Sequence, residues 1–160
     1  MNKVYVGKTV STHGIKGEIR IISDFQFKDK IFYVGNKIII DDKEYTIKSY
    51  RHHKIYEMVT LDDYKDINEV GFLLHRKVYY DEDKLVLDDN EILDNDLLNY
   101  KVSYNEQLYN IIEVFYASAT NKIIRVDYNG KEVLIPYNSP MVLKIDKSNK
   151  IIYVNLLEVI

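Results

Sequence analysis

The residues that first suggest chemistry are Thr12-His13-Gly14-Ile15-Lys16-Gly17, where two glycines bracket a lysine. A glycine-rich loop of this kind can cradle a phosphate on its backbone amides, but that chemistry needs a helix directly after the loop and a Gly-Lys-Ser/Thr ending. Neither is present. The Gly-Ile-Lys-Gly core also resembles the backbone-clamping loop of a KH domain, which joins two helices. Here the flanks, Val4 to Val10 and Glu18 to Ile22, both read as strands. The local chemistry therefore supports a tight, exposed β-turn in which glycines take positive φ.

Two further sets of residues invite a catalytic or metal reading. His13, His52, His53 and His75 would have to converge with carboxylates at ligand spacing to hold a metal, and nothing in their arrangement does this. Asp62 and Asp63 are adjacent, so their carboxylates diverge instead of working as an acid/base pair, and their position suits a helix cap. With no cysteine there is neither a thiol nucleophile nor a thiolate metal site nor a disulfide. No catalytic residue, cofactor or metal is expected, and the chain is not expected to be an enzyme.

The elements that must position these residues are mostly strands. Alanine, the best helix former, occurs only at Ala117 and Ala119, while β-branched residues and tyrosine abound. The 15 tyrosines prove little alone, since an AT-rich genome favours the same codons. Val4 and Val6, Ile19 and Ile21, Ile38 and Ile40, and Tyr45 and Ile47 alternate with polar residues in the period of half-buried strands. A tight turn is expected at Asp41 to Lys43, and another strand from about Ile55 to Leu61. One short helix interrupts the pattern: Asp62 or Asp63 caps it, Tyr64, Ile67, Val70 and Leu74 follow at helical spacing, and Gly71 offers a left-handed stop. The second half reads as strands at Leu108 to Tyr116, Ile123 to Tyr128, Val133 to Ile135, Met141 to Ile145 and Ile151 to Leu156. Asn129-Gly130 is its strongest hairpin signal, because both central positions of a type I′ turn need positive φ. Lys147 to Asn149 turns the last hairpin.

At 160 residues the chain can close two small hydrophobic cores. Charge places the boundary between them. Residues 1–80 carry 14 Lys/Arg against 11 Asp/Glu, a net of +3, whereas residues 81–160 carry 8 against 14, a net of −6. Eight carboxylates and one base, Lys84, fall between Asp81 and Asp96. The expected organisation is a β-barrel domain over 1–80, an acidic linker over 81–96 and a second β-barrel domain over 97–160. The acidic stretch is either a solvated spacer kept extended by self-repulsion or a docking element for a basic partner.

The basic residues of the first half, among them Lys8, Lys16, Arg20, Lys48, Arg51, Lys54, Arg76 and Lys77, could touch RNA phosphates. A net of +3 is weak for a dedicated RNA binder, whose affinity comes mainly from phosphate neutralisation. A single-stranded RNA-binding barrel stays open as an alternative, with Tyr50, Tyr56, Tyr79 and Tyr80 beside Arg51, Lys54 and Lys77 as its stacking candidates. A basic protein suits a chain of pI about 5.8 better. The amino-terminal residues lack the apolar core of a signal peptide, and no run approaches the length of a membrane span. A cytoplasmic, monomeric protein with no membrane contact is expected.

Val6-Gly7-Lys8-Thr9-Val10, continuing through Thr12-His13-Gly14-Ile15-Lys16-Gly17-Glu18-Ile19-Arg20-Ile21, resembles the amino-terminal signature of the RimM family of ribosome maturation factors. Lys131-Glu132-Val133-Leu134-Ile135-Pro136-Tyr137, Met141 to Asp146 and Ile151 to Glu158 resemble that family's carboxyl-terminal PRC-barrel. The resemblance implies a translation-factor-like barrel joined to a PRC-barrel. It implies binding to the small-subunit ribosomal protein uS19 and to the immature 30S subunit, with secondary contact to 16S rRNA. The implied work is late assembly of the 30S head and 16S rRNA processing. By the same resemblance the motif turn is Gly7, His13, Gly14, Lys16 and Gly17. Candidate partner contacts are Glu91, Ile92, Leu93, Asp96 and Leu97 at the start of the second barrel, with Pro136 and Tyr137. The sequence departs from the family at several places: Ile92-Leu93 stand where many members have two adjacent tyrosines, Asn99 replaces a glycine, Leu108-Tyr109 stands for Leu-Gly, and Glu158-Val159-Ile160 for Glu-Gly-Leu. These mark a divergent member.

Overall fold

The structure, a computed structural model, describes residues 2–64 and 66–156. Glu158-Val159-Ile160, compared above with the family's ending, lies outside the described residues. The chain divides into two compact units, Met1–Val86 and Leu87–Ile160. Both are built from β-strands, as the alternating pattern predicts.

The first unit contains β1 (Lys3–His13), β2 (Glu18–Ile22), β3 (Lys37–Ile40), β4 (Lys43–His53), β5 (Tyr56–Leu61), the one-turn helix α1 (Ile67–Val70) and β6 (Lys77–Asp81). The strands form a closed barrel in the order β1-β2-β5-β4-β3-β6, with β6 returning to pair with β1. Alternation decides which side chains fill it. Ile19, Ile21, Ile38, Ile40, Ile47, Val59 and Leu61 are buried inside, joined by Phe32 and Leu73 from the connections. Each fully buried aliphatic side chain of this kind stabilises the fold by about 1.5–3 kcal/mol. The β3–β4 connection is the expected tight turn, and both Asp41 (φ 52) and Asp42 (φ 62) take the left-handed conformation of a type I′ hairpin.

Two details differ from the expected helix. Its cap is Asp66, whose carboxylate accepts from the Asn68 amide at 2.8 Å, and not Asp62 or Asp63. Gly71 does not stop it with positive φ. At φ −56 it carries the chain on into a 3-10 turn over Gly71–Leu73. That turn is pinned to β1 by Thr9, which is fully buried. Its hydroxyl donates to the Leu73 carbonyl at 2.5 Å and accepts from the Arg76 amide at 2.9 Å.

The second unit contains the one-turn helix α2 (Asp94–Leu97), which the acidic composition concealed, and strands β7 (Lys101–Tyr104), β8 (Gln107–Ser118), β9 (Asn121–Tyr128), β10 (Lys131–Pro136), β11 (Val142–Asp146) and β12 (Ile151–Val154). The described sheet runs β10-β9-β8-β7-β12-β11, antiparallel except for the β12–β7 pair. Its core holds Ile92, Leu97, Val102, Ile111, Ile124, Val126, Val133, Ile135 and Ile152. Asn129 (φ 52) and Gly130 (φ 85) make the expected type I′ turn between β9 and β10. The stretch 81–96 is shared between the units, its first residues closing the first barrel and Leu87 onward belonging to the second unit.

Candidate functional site

In the first unit the motif turn is exposed and braced from two sides. Gly14 (φ 72) and Gly17 (φ 77) both sit in the left-handed region that favours glycine, as the spacing predicts. A Cβ on Gly14 would meet open space, whereas one on Gly17 would stand 2.7 Å from the Asp66 carbonyl oxygen. The Ile67 amide donates to the Ile15 carbonyl at 3.1 Å, so the turn rests on the start of α1. Arg20 braces it from the other side: Nη1 donates to the Thr12 carbonyl at 3.1 Å, and Nη2 stands 2.8 Å from His13 Nδ1. His13, Ile15 and Lys16 are left exposed at the tip, with Ile15 at 82%. Gly7, grouped with this turn by the sequence signature, lies inside β1 at a bulge, where a Cβ would stand 2.7 Å from the Ile22 carbonyl.

Two of the basic residues of this unit are held by protein neighbours, while Lys8 and Lys77 are exposed cross-strand neighbours on β1 and β6. Arg51 holds Glu18 through two bonds of 2.9 and 2.8 Å, and this pairing keeps the Glu18 carboxyl below its usual range. Arg20 lies over the Tyr56 ring at 5.4 Å. Of the tyrosines a stacking platform would need, Tyr80 is buried, Tyr50 stacks on Phe32 and donates to the buried Glu57 carboxylate at 2.6 Å, and Tyr79 meets Tyr5 edge-on beneath Lys3. Each of these rings already has a protein neighbour. Among the described residues no cluster of His, Cys, Asp and Glu could hold a metal ion, and no helix is long and apolar enough to cross a membrane.

In the second unit the acidic stretch is built into the fold. Lys122, a β9 residue only 6% exposed, places its ammonium 3.0 Å from Asp94 Oδ1 at the start of α2 and 4.2 Å from the centre of the Tyr137 ring. Asp94 Oδ2 accepts from the Tyr116 hydroxyl at 2.9 Å. The Tyr137 hydroxyl donates to the Asn90 carbonyl at 2.7 Å, and Lys147 reaches the Asp88 carbonyl at 2.5 Å. Burial pushes the Tyr137 hydroxyl up to about 12, and burial followed by the bond to Asp94 raises Tyr116. Both phenols therefore stay protonated, as donors must.

The partner-contact candidates fall into two groups. Ile92, Leu97 and Tyr137 are buried in this unit's own core. Asp96 is exposed, and Glu91, Leu93 and Pro136 are half-buried; with the exposed Asp88 and Asp89 these remain available to a partner. The residues that sequence reasoning missed are Lys122, Asp94 and Tyr116, which fix the segment in place. The sequence carries no signal for them, since a lysine at Lys122-Ile123-Ile124 has the pattern of an exposed strand residue.

Fold and site together define a two-unit β-protein with a braced turn in the first unit and a docked acidic segment in the second. Residues 4–85 match the RimM N-terminal domain and residues 94–159 match the RimM PRC barrel domain. The chain belongs to the RimM family. It is 34% identical to the ribosome maturation factor RimM of Staphylococcus aureus strains JH9 and Newman over 98% of its own length and 97% of theirs. Among solved structures it is similar to a crystal structure of a 16S ribosomal RNA processing protein RimM from Pseudomonas aeruginosa (22% identity, 96% of this chain and 97% of that one, TM-score 0.48). It is also similar to the N-terminal domain of RimM from Thermus thermophilus (16% identity, 54% of this chain and 98% of that one, TM-score 0.47).

Proposed function

We propose that this chain is a ribosome maturation factor that binds the small-subunit ribosomal protein uS19 on the immature 30S subunit and assists late assembly of the 30S head and 16S rRNA processing. It works in the cytoplasm as a monomer, by binding and without catalysis, and touches 16S rRNA only secondarily. The observation that carries this reading is the match of both family domains, in order, over nearly the whole chain, to relatives named ribosome maturation factor. The distribution of charge supports a protein partner. Residues 81–160 carry a net of −6, from 8 bases and 14 acids, and ribosomal proteins are basic as a class. Within the second unit, Asp88, Asp89, Glu91, Leu93, Asp96 and Pro136 are the contacts this reading assigns. Sedimentation tests it: the protein should co-migrate with immature small subunits and be largely absent from mature ribosomes. Equal occupancy of mature ribosomes contradicts it.

A further inference from the structure

The strand register of the second unit joins part of the Lys131–Tyr137 motif to residues of β8 and β9 in one surface. On the outer face of the sheet, Phe115 of β8, Ile123 of β9 and Pro136 of β10 are direct cross-strand neighbours, and the next row is Glu113, Arg125 and Leu134. Ile123 turns away from the core yet is only 8% exposed, lying between Phe115 and Pro136, while Leu134 is 46% exposed. Arg125 lies over the Phe115 ring at 5.2 Å, and its guanidinium is already engaged by Glu132 at 2.7 Å and Glu113 at 3.7 Å. Asp127, opposite Glu132, adds a third carboxylate. The apolar strip is thus bordered by three carboxylates against one occupied cation.

The rest of the outer face differs. On β7 and β11 it carries Lys101 and Lys144, the latter over the Tyr153 ring at 5.5 Å. Two lysines thus mark the β7–β11 half of this face, beside Asp146 of β11, whereas the β8–β10 half sets the exposed Leu134 within an acidic border. β10 is also the outermost strand at its end of the described sheet, so its far edge is placed to pair with an extended segment.

We propose that the outer face of β8, β9 and β10 docks a basic, extended polypeptide segment that sets an apolar side chain against Leu134, Phe115 and Pro136 and its lysines or arginines against Glu113, Asp127 and Glu132. The carboxylate border disfavours RNA, whose phosphates it would repel. The inference deepens the proposed function by locating the contact surface, and it rests on that reading for the partner's setting on the immature small subunit.

A photo-crosslinking side chain installed at position 134 of the full-length protein, incubated with immature small subunits and read by mass spectrometry, tests the surface. An adduct to a lysine- and arginine-rich ribosomal protein supports it. If that protein is uS19 the proposed partner stands, and if it is another basic ribosomal protein the surface stands while the uS19 reading falls. An adduct to 16S rRNA, an adduct to an acidic protein, or no adduct overturns the surface. In parallel, Leu134→Asp should weaken binding to the crosslinked protein at least about 10-fold, a cost of about 1.4 kcal/mol, whereas Leu108→Asp, at the β7-paired end of β8 and outside the β9-paired rows, should not. Should Leu134→Asp fail to fold, Glu132→Lys at an exposed site serves instead, with a slower association rate expected. Binding equal to wild type in the folded variant overturns the proposal.

Discussion

The ammonium of Lys122 and the carboxylate of Asp94, 28 residues apart in the chain, stand 3.0 Å apart, with the Tyr137 ring 4.2 Å beneath the same ammonium. One buried cation thus ties the start of the second unit to its third strand. Replacing it with an apolar residue of similar length leaves the part-buried Asp94 with only the Tyr116 hydroxyl among these contacts. Lys122→Met should destabilise the unit by about 2–3 kcal/mol, below the about 3–5 kcal/mol of a fully buried pair because the Asp94 carboxylate is a third exposed, and should raise amide hydrogen exchange around Asp94–Leu97. A urea midpoint equal to wild type would show that the pair contributes nothing.

The two turn glycines should not be equivalent. Both need positive φ, but a side chain on Gly14 meets open space while one on Gly17 strikes the Asp66 backbone. Gly14→Ala should cost about 1–2 kcal/mol, the left-handed penalty alone, and Gly14→Asn less. Gly17→Ala should cost about 3 kcal/mol or more, because backbone must move as well. Thermal denaturation of the three variants checks the ranking, and equal losses at both sites would refute the steric part of the explanation.

Acid should release the brace between β2 and β4. Arg51 holds the Glu18 carboxyl below its ordinary 4.5, so the bond's contribution is complete above that value and disappears as pH falls toward the folded-state value. Glu18→Gln should therefore lower the melting temperature at neutral pH and flatten its decline as pH falls below about 4.5. A variant whose acid profile parallels wild type would mean that the pair is not coupled to folding.

Asp88 and Asp89 are exposed, while the segment around them is tied down by Lys147 and Tyr137. Charge presented from a fixed backbone steers an encounter better than charge on a loose chain. The double variant Asp88→Lys/Asp89→Lys should slow association with uS19 about 5-fold or more at low salt, with the difference shrinking as salt rises. Surface plasmon resonance at two ionic strengths measures this, and an unchanged association rate at low salt would reduce the segment to a spacer.

Much of the fold was legible because its signals are local. Alternation placed Ile19, Ile21, Ile38 and Ile40 inside the first barrel, and Asn129-Gly130 named its own turn. The failures have physical causes. Asp62, Asp63 and Asp66 can all cap a helix, and only the tertiary position of the turn against Ile15 selects Asp66. β7 has a single buried residue, Val102, so Lys101–Tyr104 shows no period to read. α2 was hidden because a run of aspartates reads as solvated chain, although Leu97 inside it is fully buried. Of the candidate site, the turn glycines were readable from type and spacing, but Lys122 was not: an isolated lysine looks like surface until the fold brings Asp94 and Tyr137 to it. The family resemblance supplied the proposed partner, which no residue spacing states.

The most direct test is the affinity of the purified chain for isolated uS19 from the same cell, with naked 16S head-domain RNA as the parallel ligand. Tight, saturable binding to the protein with little to the RNA is the expected result. Preference for the RNA, with weak or no binding to uS19, would contradict the account and return the barrels to the status of a nucleic-acid module.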